Sequence, residues 1–317
     1  MTAVLKRLLE AIPTLIGVTI LTFFMGKLTP GDPARLMLGP EATEEAIKAF
    51  RKEHGFDKPI IVQYFMYMGN LMKGDLGTSV TTSKRPVVEE IAARLPATLE
   101  LLALSMFFAV ITSMIAGVLS AVYPRSLIDN VTRFLVFVFL AMPSFWLGLE
   151  MIILFSQHLK WFPPAGRGSG SFDSRIGHIM MPALVIGVGT GAFLCRILRS
   201  SMLEVLRADY VRTARAKGLN GWAVIMKHAL KNALIPFITV TGISMGSLLG
   251  GSVIVETVFN WPGIGKLLVE SIHERNLPVT MGCVLIMGGG FVLINLLTDI
   301  LYTVIDPRIS LEGAAKT

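Results

Sequence analysis

Long apolar runs separated by short polar segments are the dominant pattern of this chain. Each run is long enough to cross the hydrocarbon core of a bilayer. The runs lie at about 9–25, 99–122, 134–155, 179–198, 234–258 and 279–305. The pattern therefore predicts an all-α membrane protein with six transmembrane helices.

Composition supports this class. Hydrophobic residues make up 53% of the 317 residues and charged residues only 16%, a balance that excludes a water-soluble globular protein of this length. The net charge of +7 fits anionic lipid headgroups, and no nucleic-acid motif accompanies it. Cys195 and Cys283 fall in or beside apolar runs without histidines at ligand spacing, so we expect neither a disulfide nor a metal site.

The distribution of basic residues predicts the orientation in the membrane. The loop between the fourth and fifth runs is strongly basic: Arg196, Arg199, Arg207, Arg212, Arg215, Lys217, Lys227 and Lys231, against Glu204 and Asp209. Short basic loops stay in the cytoplasm, so this loop and both termini are predicted to be cytoplasmic. The first run lacks a small-x-small cleavage site after Met25, which predicts an uncleaved anchor.

The soluble segment after the first run is predicted to form an extracytoplasmic helical insertion. Thr43 can cap a first helix that ends near Gly55, a second helix should run from Pro59 to Gly74, and a third over 86–95. Apolar positions in the second helix predict contact with the membrane surface or the bundle: Ile60, Ile61, Phe65 and Met68.

These features divide the chain into four parts. We expect a transmembrane helix at 1–28, the insertion at 29–96, a five-helix core at 97–305 that contains a cytoplasmic loop at 199–233, and a cytoplasmic tail at 306–317.

Enzymatic chemistry is not indicated. The nearest approach to a P-loop, Pro262-Gly-Ile-Gly-Lys266, lacks the first glycine and the final hydroxyl. The five histidines lie in loops or at span ends, which does not suit an intramembrane serine protease: His54, His158, His178, His228 and His273. The sequence therefore predicts no catalytic site and no cofactor in this chain.

The fifth run carries a face of small residues. Gly242, Gly246 and Gly250 recur every four residues, with Ser244 and Ser247 beside them. Such a face lets helices approach closely in lipid, so we expect either tight helix packing or the lining of a substrate path.

Polar residues inside the third run point to a path or a buried partner. A carboxylate at Glu150 is costly in hydrocarbon, and Pro143 predicts a kink where the helix bends around a cavity. Candidate path residues are Glu150, Met142, Ser144 and, in the fifth run, Met245. Glu256 and Asp299 lie nearer span ends and are expected to snorkel or to pair structurally.

Several motifs carry a family resemblance. They are Arg7-Leu-Leu-Glu-Ala-Ile-Pro-Thr14, Pro30-Gly-Asp-Pro33, Gly74-Asp-Leu-Gly-Thr-Ser79, Arg212-Thr-Ala-Arg-Ala-Lys-Gly218, His228-Ala-Leu-Lys-Asn-Ala-Leu-Ile-Pro236, Glu256-Thr-Val-Phe-Asn-Trp-Pro-Gly-Ile-Gly265 and Asp306-Pro307. Over nearly its whole length the chain resembles the membrane-spanning permease of bacterial ATP-binding-cassette (ABC) importers. The branch it resembles is the first permease subunit for dipeptides, oligopeptides, glutathione and nickel.

The resemblance implies a type I importer fold and a set of partners. These are a second, homologous permease, two ATPase subunits that hold ATP and Mg, and an extracytoplasmic solute-binding protein, all at the cytoplasmic membrane. The basic loop resembles the family's E-A-A-x-x-x-G motif, with Arg212 where the motif has Glu and Thr213 where it has its first Ala. The residues implied in coupling to the ATPase are Tyr210, Arg212, Thr213, Ala214, Arg215, Ala216, Lys217, Gly218 and Leu219.

The implied function is ATP-driven import of a small peptide: a dipeptide, an oligopeptide or glutathione. A nickel chelate or another small solute remains open as the substrate. A secondary transporter or channel is the alternative class, and an intramembrane enzyme a further one.

Overall fold

Helices account for nearly all the regular structure of the computed structural model, which describes residues 2–28, 33–39, 42–53, 55–80, 84–168 and 172–305. The one strand-type pairing within those ranges is an isolated bridge between Thr78 and Pro86. The all-α prediction is confirmed. The predicted tail at 306–317 lies outside the described residues, as does most of the motif at 30–33.

The N-terminal part begins with an apolar helix and continues into short ones. They are α1 (Thr2–Leu28), α2 (Pro33–Leu38), α3 (Glu44–Glu53) and α4 (Ile60–Met72). Thr43 Oγ1 accepts a hydrogen bond from the Ala46 amide at 3.3 Å, so this residue caps α3 as predicted. Gly55 and Gly74 follow α3 and α4 with φ of +69° and +77°, a left-handed conformation that suits glycine.

The third predicted helix of the insertion is not a separate element. Helix α5 (Val87–Val122) is continuous over 36 residues and includes Pro96. An internal proline costs about 3 kcal/mol or more, but both sides of this one are held by packing. Val87 and Ile91 pack in one buried cluster, and Ala97 and Leu101 pack in another. The predicted boundary between 96 and 97 therefore falls inside a helix.

The third apolar run is broken, not merely kinked. Helix α6 (Leu127–Ala141) and helix α7 (Ser144–Met151), which continues as a π-helical segment at Ile152–His158, meet at an angle of 104°. Met142 and Pro143 are extended at the break, because the residue before a proline avoids helical angles and proline itself has no amide hydrogen to donate. Proline therefore has a larger effect here than the kink expected from sequence.

The C-terminal half consists of long helices joined by short ones. They are α8 (Phe172–Val205), α9 (Asp209–Ala216), α10 (Gly221–Ala223) with a π-helical segment at Val224–Leu230, α11 (Lys231–Val258), α12 (Ile264–His273) and α13 (Leu277–Ile305). Among the described residues, five helices are long and apolar enough to cross a membrane, and the bent pair of α6 and α7 makes a sixth.

Helices α5 and α8 form the most extensive pair. Two glycines of α8 permit the approach: a Cβ on Gly187 would lie 2.9 Å from the Ser105 carbonyl oxygen, and one on Gly191 would lie 3.2 Å from the Ala109 carbonyl oxygen. Close backbone contact of this kind is how helices associate in lipid. Helices α6, α11 and α13 pack on this pair, and α1 packs on α13.

Candidate functional site

Helix α9 is a short surface helix that is fixed to the bundle. Its inner side chains, Val211 and Ala214, are buried against Val224 of the π-helical segment, with Val205 at the end of α8 packed beside them. The Tyr210 hydroxyl also accepts a hydrogen bond of 2.8 Å from Asn232 Nδ2 in the first turn of α11. These contacts connect α9 to both neighbouring long helices, α8 and α11.

Gly218 ends α9 by adopting a left-handed backbone conformation. Gly218 has φ of +78°, and its amide donates to the Arg215 carbonyl at 3.0 Å while the Lys217 amide donates to the Thr213 carbonyl. A Cβ at Gly218 would contact nothing within 4 Å, so the requirement for glycine is conformational and not steric.

Most residues predicted to couple to a partner lie on the outside of this helix. Ala214 is the exception, since it is buried in the anchor. The exposed ones are Tyr210, Arg212, Thr213, Arg215, Ala216, Lys217, Gly218 and Leu219. Two large apolar residues that the sequence motif does not include, Trp222 and Met226, are also about half exposed. Their only signal in the sequence is that they are isolated apolar residues in a basic loop. Together these residues form a basic and apolar face, which we call the α9 surface.

A buried ion pair connects α6 to two of the long helices. Asp129, at the start of α6, is 1% exposed. Its carboxylate accepts hydrogen bonds from Arg199 Nε at 2.8 Å, from a terminal nitrogen of Arg199 at 3.0 Å, from Ser120 Oγ at 2.6 Å and from the Arg125 amide at 2.9 Å. Arg199 belongs to α8 and Ser120 to α5, so one carboxylate connects α5, α6 and α8. In the sequence Arg199 stands out only as a loop base, and no pattern there points to Asp129.

The small-residue face of α11 is only partly used inside this chain. A Cβ on Gly242 would overlap the Thr298 side chain, and one on Gly246 would lie 3.0 Å from Asn295 Oδ1, so both glycines pack against α13. A Cβ on Gly250 would have nothing within 4 Å among the described residues. Ser244 is half-buried, and Ser247 is exposed and donates to the Ile243 carbonyl of its own helix.

Glu150 is exposed on the outer face of α7. Gly148 packs inward, because a Cβ there would lie 3.1 Å from Phe259 and 3.3 Å from Val258. A residue two positions later points to the opposite side of a helix. The described residues include no hydrogen-bond or ion-pair partner for Glu150, so a buried partner within this part of the chain is ruled out.

The other residues predicted to line a substrate path lie in two regions, the break between α6 and α7 and the middle of α11. Met142 and Ser144 are half-buried at the break between α6 and α7. Met245 is exposed on α11, but it precedes Val258 by thirteen residues, which is roughly 20 Å along a helix. The fold therefore brings Met142, Ser144 and Glu150 near one another and leaves Met245 well away from the contact between α7 and α11.

Glu256 is fully buried, so of the two expectations for it the structure contradicts snorkelling and agrees with a structural partner. Its carboxylate accepts hydrogen bonds from Thr98 Oγ1 at 2.8 Å, from Ser252 Oγ at 3.3 Å and from the Lys266 amide at 3.0 Å. The last contact caps the first turn of α12, where a negative charge is favourable. Trp261 Nε1 also donates to a backbone carbonyl of α5 at 2.8 Å. The motif at 256–265 therefore forms a structural turn between α11 and α12.

Apolar crossings, one of them sharply broken, and an anchored surface helix between two long spans define the membrane component of a transport system. The model of the family "Binding-protein-dependent transport system inner membrane component" matches residues 113–311, and the model of its N-terminal region matches residues 1–102. The chain belongs to this family. It is a multi-pass inner-membrane permease subunit of the ABC importer class, a subunit that works with ATPase partners and is not itself an enzyme.

Curated relatives match almost end to end. The chain is 45% identical to the dipeptide transport system permease protein DppB of Alkalihalophilus pseudofirmus and 45% identical to the oligopeptide transport system permease protein AppB of Bacillus subtilis. It is 43% identical to the glutathione transport system permease protein GsiC of Escherichia coli K12. Each comparison covers 96% of this chain and 98% of the relative.

A solved structure shares the fold. The chain is similar to a chain of the MetNI methionine ABC transporter in an inward-facing conformation, with a TM-score of 0.55 and 19% identity over 68% of this chain and 96% of that chain. The type I importer permease fold implied by the sequence motifs is therefore confirmed.

Proposed function

We propose that this chain is the permease subunit of an importer that moves small peptides across the cytoplasmic membrane: dipeptides, oligopeptides or glutathione. The observation that carries the proposal is the 43–45% identity, over 96% of the chain, to permeases named for these three substrates. ATP and Mg are held by two partner ATPase subunits, and a solute-binding protein delivers the peptide from outside.

In this proposal the α9 surface is the contact with the ATPase. Its cations and exposed apolar side chains suit a cleft on a protein partner, since arginine and aromatic residues are favoured at such interfaces. The buried Val211 and Ala214 support this role, because an anchored helix transmits rigid-body motion that a flexible loop would absorb. The basic character of the loop supports a cytoplasmic position, which places both termini inside and the segment 29–96 outside.

The transport path runs, in this proposal, between the chain and a second, homologous permease. Glu150 supports it, because an exposed carboxylate on a membrane helix needs water or a counter-charge. Met142 and Ser144 would line the path at the break in the third span, and Met245 would line it closer to the α9 surface. Gly250 and Ser247, which α13 leaves uncovered, would contact the second permease.

Uptake by the purified complex in proteoliposomes tests the substrate and the energy source together. A labelled dipeptide, tripeptide or glutathione should accumulate only with ATP, Mg and the cognate solute-binding protein. Accumulation that follows an imposed proton or sodium gradient without ATP would identify a secondary transporter. Uptake of a nickel chelate but of no peptide would refute the peptide assignment.

Cysteine cross-linking tests the proposed interface. Ala216→Cys is exposed and should cross-link to an ATPase subunit, whereas Ala214→Cys is buried and serves as the matched control. Labelling of Ala216→Cys by an impermeant reagent added outside intact cells would refute the cytoplasmic position of α9.

A further inference from the structure

Helix α4 has its polarity reversed relative to a helix in water. Residues 60–72 contain no charged side chain, and Lys58 and Lys73 flank them. One face carries an apolar stripe at helical spacing, made of Ile61, Phe65, Met68 and Met72. Met68 is half-buried, whereas Ile61, Phe65 and Met72 are 66%, 68% and 85% exposed. We call these four residues the α4 stripe.

The polar residues Gln63 and Tyr67 of α4 are half-buried on the other side of the helix, towards the protein, whereas Asn70 near its end is exposed. Gln63, Tyr67 and Asn70 line a cavity of about 280 Å³ between α4, the end of α1 and the start of α13. Gln63 bonds Lys27 of α1. A helix in water places its polar face outside, so this arrangement indicates an apolar exterior.

The place where α4 is attached fixes its depth. Tyr64 hydrogen-bonds Thr19 at 2.9 Å, and Phe23 contacts the rings of Tyr64 and Tyr67. Residues 19–27 are the last part of the apolar span of α1, Leu9–Lys27, and extend for roughly 12 Å along a helix. Tyrosines and flanking lysines are typical of the boundary between hydrocarbon and headgroups, and interfacial helices lie about 5–10 Å deep.

Helix α4 also lies at the edge of the bundle. It packs on α1, and α1 itself is mostly exposed, with outward apolar side chains such as Leu21 at 67% exposure. With 13 residues α4 is too short to cross a bilayer.

We propose that α4 lies in the outer leaflet of the membrane as an in-plane helix, with the α4 stripe in contact with phospholipid acyl chains. The insertion is thereby anchored to the bilayer beside α1. The assignment to the outer leaflet rests on the orientation proposed above, with the segment 29–96 outside, but it does not depend on the identity of the substrate.

Spin labelling tests the proposal in the intact complex. Nitroxides are attached to Ile61→Cys, Phe65→Cys and, as the matched water-exposed control in the same insertion, Lys48→Cys of α3. The native Cys195 and Cys283 are buried and remain unlabelled. The complex is reconstituted in vesicles of phosphatidylethanolamine and phosphatidylglycerol, and collision with oxygen is compared with collision with a water-soluble nickel chelate.

Oxygen concentrates in acyl chains and the nickel chelate in water. At Ile61 and Phe65 the ratio of oxygen to nickel collisions should exceed one, and at Lys48 it should fall below one. A ratio below one at both stripe positions would show that α4 faces water. Low collision with both reagents would show that another protein covers the stripe, and either result would overturn the proposal. The two stripe positions guard against one variant failing to assemble.

Discussion

The ion pair of Asp129 offers a direct test of how α5, α6 and α8 are held together. Asp129→Ala removes the acceptor of hydrogen bonds from Arg199, Ser120 and the Arg125 amide. The same carboxylate also has an exposed partner, Arg133, at 3.6 Å. Asp129 therefore has a mostly buried cationic partner, Arg199, and an exposed one, Arg133. Substitutions of these two arginines form a matched pair.

The expected loss of unfolding free energy for each variant follows from how deeply the charged groups are buried. Removing one partner of a buried pair costs about 3–5 kcal/mol, because the other charge is left unpaired. The Arg199 side chain is 22% exposed, so water solvates part of the stranded charge, and we expect the lower end, about 3 kcal/mol, for Asp129→Ala. Arg133 is 56% exposed and lies one turn further along the same helix, so Arg133→Ala should cost less than about 1 kcal/mol.

The assay is a denaturant titration of the detergent-purified subunit, which gives the free energy of unfolding of each variant. A double-mutant cycle of Asp129→Ala with Arg199→Met should show a coupling energy of roughly 2 kcal/mol, since the second change removes the stranded charge. Equal costs for Arg133→Ala and Arg199→Met, or a cost below about 1 kcal/mol for Asp129→Ala, would refute the assignment of this carboxylate as the connection between three helices.

Three further substitutions, two of them with a matched control, are checked by the same titration, and the one at Gly218 is also checked by uptake in proteoliposomes. Gly246→Leu should lose about 1–3 kcal/mol because α13 occupies the space, whereas Gly250→Leu should be nearly neutral in the isolated subunit. Gly218→Ala should lose about 1–2 kcal/mol and lower ATP-driven uptake because of its positive φ, whereas Gly221→Ala should not. Thr98→Val should lose about 1–3 kcal/mol. The buried Glu256 carboxylate loses a donor, and the Ile264 amide at the start of α12, which donates to Thr98 Oγ1 at 2.8 Å, loses its acceptor. No loss of stability in Gly246→Leu would mean that α11 and α13 separate in the membrane. Equal effects of Gly218→Ala and Gly221→Ala would mean that the turn after α9 does not need a residue with positive φ at Gly218. A neutral Thr98→Val would mean that water replaces the lost hydroxyl in the turn at 256–265.

Local backbone chemistry could be predicted from the sequence. The end of α9 at Gly218 follows from the freedom of glycine at positive φ. The missing amide hydrogen of Pro143 predicts where the third span bends, although the bend of 104° is larger than the expected kink. The coupling role of the α9 surface stays a prediction, although its helix and its exposed face are present. Trp222 and Met226 could not be predicted, because apolar residues in a membrane protein carry little information by themselves.

Long-range contacts could not be predicted in the same way. Pro96 by itself predicts the end of a helix, yet clusters on both sides of it keep α5 continuous. Glu256 lies near a span end in the sequence, yet its donors come from Thr98, 158 residues earlier in the chain, and from the first turn of α12.

The sequence by itself determined the membrane class, the approximate spans, the end of α9 and the family, because each depends on composition, on periodicity or on a short motif. Tertiary structure alone decided which polar groups are buried with partners, which glycines touch another helix, and that α4 turns its apolar face outward. The physical reason is that burial and hydrogen-bond satisfaction are properties of neighbours in space. In a helical membrane protein those neighbours are usually far apart in the chain.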